Sequence, residues 1–131
     1  MYVAEAIIEG REAKRVTVLL VDDEPLVRLG LASELRGARY EVIEASNADE
    51  ALSVLHSLPI DLMISDVVMP GSMDGVALAA RARKVHSEMK IIIVSGHAQA
   101  PAASVADGFF AKPCGSTPIL KTCRQLLSEA R

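Results

Sequence analysis

The sequence predicts an α/β domain in which a parallel sheet is covered by helices on both faces. Short runs rich in β-branched residues, at 16–21 (VTVLLV), 62–65 (LMIS) and 91–94 (IIIV), are apolar almost throughout instead of alternating, as strands buried on both faces are. Between these runs the apolar spacing changes to that of a helix. Strand and helix then alternate along the chain, which is the order that crossovers between parallel strands require.

The first strand runs into Pro25, a favourable first helical residue, and Val27, Leu31 and Leu35 mark the helix that follows, with Gly37 as its stop. Residues 41–45 (EVIEA) alternate and suit a strand nearer an edge. Ala48, Ala51, Leu52 and Leu55 fall at i, i+3, i+4 and i+7 of a second helix. After the strand at 62–65, residues 69–75 (MPGSMDG) form a loop, and Leu78, Ala82 and Val85 mark a third helix. The run at 91–94 and a shorter one at 109–111 complete the strands. Ile119, Leu120, Cys123, Leu126 and Leu127 line a closing helix, with Pro118 at its first position and Ser116 or Thr117 as its cap. Residues 1–15 stand apart as a charged N-terminal extension, which leaves 16–131 as the domain.

Composition narrows the function. A chain of 131 residues, 50% hydrophobic and 24% charged, is one domain's worth and should fold. With a net charge of −3 and with Arg11, Lys14, Arg15, Arg81, Arg83 and Lys84 dispersed among acids, no footprint for nucleic acid appears. Tyr2, Tyr40, Phe109 and Phe110 are the only aromatic residues, too few for a base-stacking platform. No apolar run is long enough to cross a bilayer and the start carries no export pattern, so the expected compartment is the cytosol, with no membrane partner. Cys114 and Cys123 fit neither a metal pair nor a redox motif and read as small apolar residues.

In an open α/β sheet, ligands bind beyond the carboxyl ends of the strands. The first run exits into Asp22, Asp23 and Glu24, the third into Asp66, the fourth into Ser95 and Gly96, and the last into Lys112 and Pro113. Each has a local alternative. Asp22 or Asp23 suits a helix cap, Asp66 a turn cap, Ser95 a backbone partner, and Lys112 a solvated charge. Together they place three carboxylates on one rim, where each pair about 4 Å apart repels by roughly 4 kcal/mol at an effective dielectric near 20. A cation must sit among them. An all-oxygen donor set favours a hard, partly hydrated ion such as Mg²⁺ over zinc, and His56, His86 and His97 show no ligand spacing. A divalent ion beside a carboxylate and a lysine is apparatus for phosphoryl transfer, with Asp66, already ionised near neutral pH, as nucleophile.

These residues resemble the receiver domain of bacterial response regulators, of the stand-alone, single-domain type. The resemblance rests on LVDDE at 20–24, DVVMP at 66–70 with MDG at 73–75, SG at 95–96 and FFAKP at 109–113, and it spans about 16–130. It implies a flavodoxin-like sheet of five strands in the order 2-1-3-4-5. It also implies that Asp66 accepts a phosphoryl group from a phosphohistidine on a histidine kinase or phosphotransfer protein, the domain catalysing both its phosphorylation and its dephosphorylation. By the same resemblance Asp23, Asp66 and the carbonyl of Val68 bind Mg²⁺ directly, Asp22 acts through water, and Lys112, the Ser95 hydroxyl and the Gly96 amide take phosphoryl oxygens. The Lys112–Pro113 bond is expected to be cis, and Ser95 is expected to couple to Phe109 as a switch. Moving such a switch from about 1% to about 99% active needs about 5.5 kcal/mol. One charge-assisted hydrogen bond supplies at most about 3 kcal/mol, so several groups must act together.

Two departures from the family pattern stand out. Ser72 lengthens the loop beside Asp66, and the stretch from Ser95 to Lys112 is short, so the fourth helix of the family is expected to be short, shifted or missing. The chain has no room for an effector domain, so its output is expected to pass to a separate protein, as diffusible switch, relay or phosphate sink. Two other readings stay open. One is an interaction module of the same fold that carries no phosphate, and the other a small aspartyl-phosphate phosphohydrolase, which needs a second acid where Val68 stands.

Overall fold

The computed structural model describes residues 15–71, 73–96 and 105–129. Along them run β1 (Thr17–Val21), α1 (Pro25–Gly37), β2 (Glu41–Ala45), α2 (Ala48–Ser57), β3 (Leu62–Asp66), α3 (Gly75–Val85), β4 (Lys90–Ser95), β5 (Gly108–Ala111) and α4 (Ser116–Glu129). All strand pairs are parallel, in the order β2-β1-β3-β4-β5. The alternating segment 41–45 is indeed an edge strand, while the continuously apolar runs hold the centre.

Period-two alternation divides the central strands between two cores. Leu19, Val21, Met63, Ile91 and Ile93 face α2 and α3, where Ala48, Ala51, Leu55, Leu78, Ala79 and Ala82 cover them. Val18, Leu20, Leu62, Ile64, Ile92 and Val94 face α1 and α4, meeting Ala32, Leu35, Ile119, Cys123 and Leu126. The central strands are thus apolar on both faces, and their buried polar residues, Ser65, Asp66 and Ser95, fall at their carboxyl ends.

Side chains set the helix starts. Asn47 caps α2 by accepting from the Glu50 N–H at 2.8 Å, and Glu50 reaches back to the Ser46 N–H at 2.7 Å, a reciprocal arrangement that satisfies two orphan donors. Asp74 caps α3 through the Ala77 N–H at 2.9 Å.

Three local expectations change. Helix α1 buries Ala32 and Leu35 and half-buries Leu31, but Val27 is 48% exposed. The inner stripe is therefore 28, 31, 32 and 35, still at helical spacing, with the stem of Arg28 in the first position. Gly37 stays helical, and the left-handed residue that turns the chain is Arg39, at φ 75°. Helix α4 begins at Ser116 rather than Pro118, so the proline falls within the first turn, where a missing N–H leaves no hydrogen bond unmade. The N-terminal extension up to residue 14, Ser72, His97 and residues 98–104, on which the expected loss of the fourth helix rests, lie outside the described residues.

Candidate functional site

The carboxyl ends of β1, β3, β4 and β5 meet at one rim. Parallel pairing delivers them there together, since Val21 lies opposite Ser65, Asp66 opposite Val94 and Ser95 opposite Ala111. Asp22, Asp23 and Asp66 each offer a carboxylate oxygen, and the three oxygens lie within 4.8 Å of one another. Asp22 and Asp66 are almost fully buried, 7% and 8% exposed. Lys112 follows β5 and points its Nζ into the cluster, 3.0 Å from Asp66 Oδ2 and 3.5 Å from Asp22 Oδ2. The Lys112 N–H donates to the Ser95 carbonyl at 2.7 Å, which extends the β4–β5 ladder by one residue and aims the side chain inward. The Lys112–Pro113 bond is cis.

One lysine sets its positive charge against three carboxylates. Burial alone pulls the Lys112 pKa down, but the hydrogen bond to Asp66 and the fields of Asp22, Asp66 and Glu24 outweigh it and hold the ammonium above its ordinary value. The lysine is therefore fully charged at neutral pH, and negative charge still exceeds positive at the rim. An all-oxygen set of three converging acids suits a hard divalent ion.

A cavity of about 300 Å³ opens over the cluster, lined by Asp23, Glu24, Asp66, Val68, Gly96 and Lys112. The fold thus gathers Asp22, Asp23, Asp66, Val68, Gly96 and Lys112 at one place. Ser95, immediately before Gly96, is fully buried at the end of β4. Phe109 lies opposite Ile93, two residues from Ser95 on the same face of the sheet, and is half-buried against the α2/α3 core. A larger cavity of about 420 Å³ lies where the strands begin, lined in part by Val16, Ile60, His86 and Met89. Asp61 and Glu88 are the acids in its lining; Asp61 accepts the Thr17 N–H at 2.8 Å, and the two belong to no converging set of acids among the described residues. Size does not select the site here; converging charge does.

The local alternatives for each residue resolve differently. Asp22 does serve the main chain, accepting the Glu24 N–H at 2.9 Å through Oδ1, but its Oδ2 faces Lys112. Among the described residues the Asp66 carboxylate meets Lys112, so Lys112 is paired rather than solvated. Two supporting residues escaped the sequence reading. Gly75 opens α3 so close to β3 that an added Cβ would overlap the Asp66 carbonyl oxygen, and its N–H donates to the Val67 carbonyl at 2.8 Å. Arg28 donates to the Asp22 carbonyl at 2.7 Å and to Glu44 at 3.0 Å. A glycine at a helix start was a visible signal for the first; nothing local marks the second.

Comparison with known proteins agrees with this geometry. The family described as response regulator receiver domain matches residues 18–124. Sensor kinase CckA of Brucella abortus is 38% identical over 120 residues, covering 86% of this chain and 13% of that protein. The chain also spans under half the length of several regulatory proteins that it matches. Among solved structures, a CheY-like receiver domain protein from Methanospirillum hungatei superposes with a TM-score of 0.85 at 27% identity, covering 89% of this chain and 97% of that one. Response regulator TrrA of Thermotoga maritima, solved in complex with Mg²⁺ and BeF, gives 0.78 at 32% identity, covering 85% and 98%. The described residues contain no helix long and apolar enough to cross a membrane. With its parallel sheet in the order 2-1-3-4-5, its acidic rim and its lysine, the chain belongs to the response regulator receiver domain family of two-component signalling.

Proposed function

We propose that Asp66 accepts a phosphoryl group from a phosphohistidine on a histidine kinase or phosphotransfer protein, with Mg²⁺ held by Asp23, Asp66 and the Val68 carbonyl and with Asp22 acting through water. The observation that carries this reading is the approach of three carboxylate oxygens within 4.8 Å, with Lys112 3.0 Å from Asp66. The relative solved with Mg²⁺ and BeF supports the choice of ion. When bound, the ion neutralises the acids and the charge that develops on the phosphoryl oxygens.

The chain's own groups do the rest. An Asp66 carboxylate oxygen forms the new O–P bond as the P–N bond to the donor imidazole breaks, and the leaving nitrogen is protonated from solvent. Lys112 already touches Asp66 and moves its hydrogen bond to a phosphoryl oxygen. The Ser95 hydroxyl and the Gly96 amide take the remaining oxygens, and Val68, 59% exposed, leaves the approach to Asp66 free of a second acid. Drawing Ser95 toward the phosphoryl group vacates space on the face it shares with Phe109, and the ring turns inward to fill it. The partner reads that change.

Intact mass after incubation with Mg²⁺ and acetyl phosphate tests the reading. The wild type gains one phosphoryl group that alkali removes, and Asp66→Asn gains none. No adduct from acetyl phosphate or a phosphohistidine donor favours an unphosphorylated interaction module, and rapid turnover of many phosphate esters favours a phosphohydrolase.

A further inference from the structure

The acids at the rim need support from outside the rim. Asp22 lies in the turn between β1 and α1, and its main chain is held from both sides. Its N–H donates to the Ala45 carbonyl of β2 at 3.1 Å, and its own carbonyl accepts Nη1 of Arg28 at 2.7 Å. The same guanidinium donates through Nε to Glu44 Oε1 at 3.0 Å, and the other Glu44 oxygen accepts Arg36 at 3.2 Å. Arg28 is only 19% exposed, because its stem fills the first inner position of α1. A planar fork gripping two acceptors in two directions has little freedom left.

The Asp22 carbonyl and the Asp23 N and Cα belong to one rigid peptide plane. Fixing that carbonyl therefore fixes the direction in which the Asp23 chain leaves the turn, and with it the place of the Asp23 carboxylate. We infer that Arg28 is a positioning residue for the cation site, acting through the Asp22–Asp23 peptide, and that Glu44 both anchors the guanidinium and cancels its charge beside the acids. This rests on the reading of the rim as a Mg²⁺ site.

The charge and the anchor of Arg28 act in opposite senses. Removing a positive charge near three carboxylates strengthens cation binding, whereas freeing the Asp22 carbonyl weakens it by scattering the acids. Arg36 separates the two, since it pairs with the same Glu44 but does not touch Asp22.

Calorimetric titration with Mg²⁺ alone, on the full chain and with melting curves as a check on folding, decides the matter. Arg28→Gln is expected to bind Mg²⁺ about tenfold more weakly than wild type, the usual scale for losing a support behind a ligand, while Arg36→Gln binds at least as tightly as wild type. Arg28→Lys keeps the charge but loses the fork and stays about threefold weaker. Amide NMR of the metal-free Arg28 variants shows displaced Asp22 and Asp23 signals, with Asp107 unmoved. Equal Mg²⁺ affinity in Arg28→Gln and wild type, or equal weakening by Arg36→Gln, overturns the role of Arg28 and leaves the cation site standing. A wild type that binds no Mg²⁺ overturns both.

Discussion

Replacing Gly75 by alanine tests how tightly the phosphoacceptor is held from behind. An ideal Cβ at Gly75 would overlap the Asp66 carbonyl oxygen and lie 2.8 Å from the Asp66 carbonyl carbon and 2.9 Å from Val67 Cα, where ordinary contact begins near 3.4 Å. Every one of these atoms is backbone, so no rotamer change relieves the overlap. Either α3 lifts away or the end of β3 shifts by more than half an ångström. Crowding of this kind costs about 3 kcal/mol. At about 4 °C per kcal/mol for a domain of this size, the melting temperature falls by roughly 12 °C. Displacing a reacting carboxylate by part of an ångström also slows the step it performs, by roughly 10- to 100-fold. Gly30 is the control, because a Cβ there meets nothing within 4 Å. In that helix interior alanine stabilises by about 0.5–1 kcal/mol. Thermal melts and the rate of uptake from acetyl phosphate read both effects. A Gly75→Ala protein that melts within about 2 °C of wild type and is phosphorylated at the wild-type rate would refute the close-packing account.

Other perturbations probe separate parts of the molecule. Arg39 holds φ 75°, a conformation that costs a side chain about 1–2 kcal/mol, so Arg39→Gly should stabilise by about 0.5 kcal/mol in denaturant melts after the entropy of an added glycine is subtracted. The Glu50 carboxyl is held below its ordinary pKa, first by the Ser46 N–H and then by the Ser46 hydroxyl. Its stabilising contribution is therefore complete above the unfolded pKa and is lost as the pH falls through the folded one, so acid titration of stability should be shallower in Glu50→Gln than in wild type. Burial pushes the Cys123 thiol up to about 11, and its side chain is inaccessible, so a thiol reagent near pH 8 should label Cys114 first and Cys123 only as fast as the chain unfolds, as read by peptide mass mapping.

Much of the fold was legible because its causes are local. The runs at 16–21, 62–65 and 91–94 are apolar on both faces, and in the structure both faces are covered. The segment EVIEA alternates, and it stands at an edge. Of the α4 stripe Ile119, Leu120, Cys123, Leu126 and Leu127, the first, third and fourth are buried, while Leu120 and Leu127 pack half-buried against the same core. In α1 the same reasoning slipped by one residue. An arginine at 28 looks like a solvent-facing position, and only its partners, Asp22 and Glu44, explain why the buried stripe passes through it while Val27 and Leu26 face outward.

The candidate site divides in the same way. Acids, hydroxyl and lysine directly after apolar runs announce a rim, because strand direction alone carries every strand end to the same side. How near those groups come to one another is a different matter. The 3.0 Å contact between Lys112 and Asp66 joins residues 46 apart, and the contact of Arg28 with Glu44 joins residues 16 apart. Periodicity and turn chemistry are written in neighbouring residues and can be read one segment at a time. Distances between segments follow from how whole layers pack, so the support that Arg28 gives the acids, and the closeness of Gly75 to Asp66, are set by the sheet and its helices together.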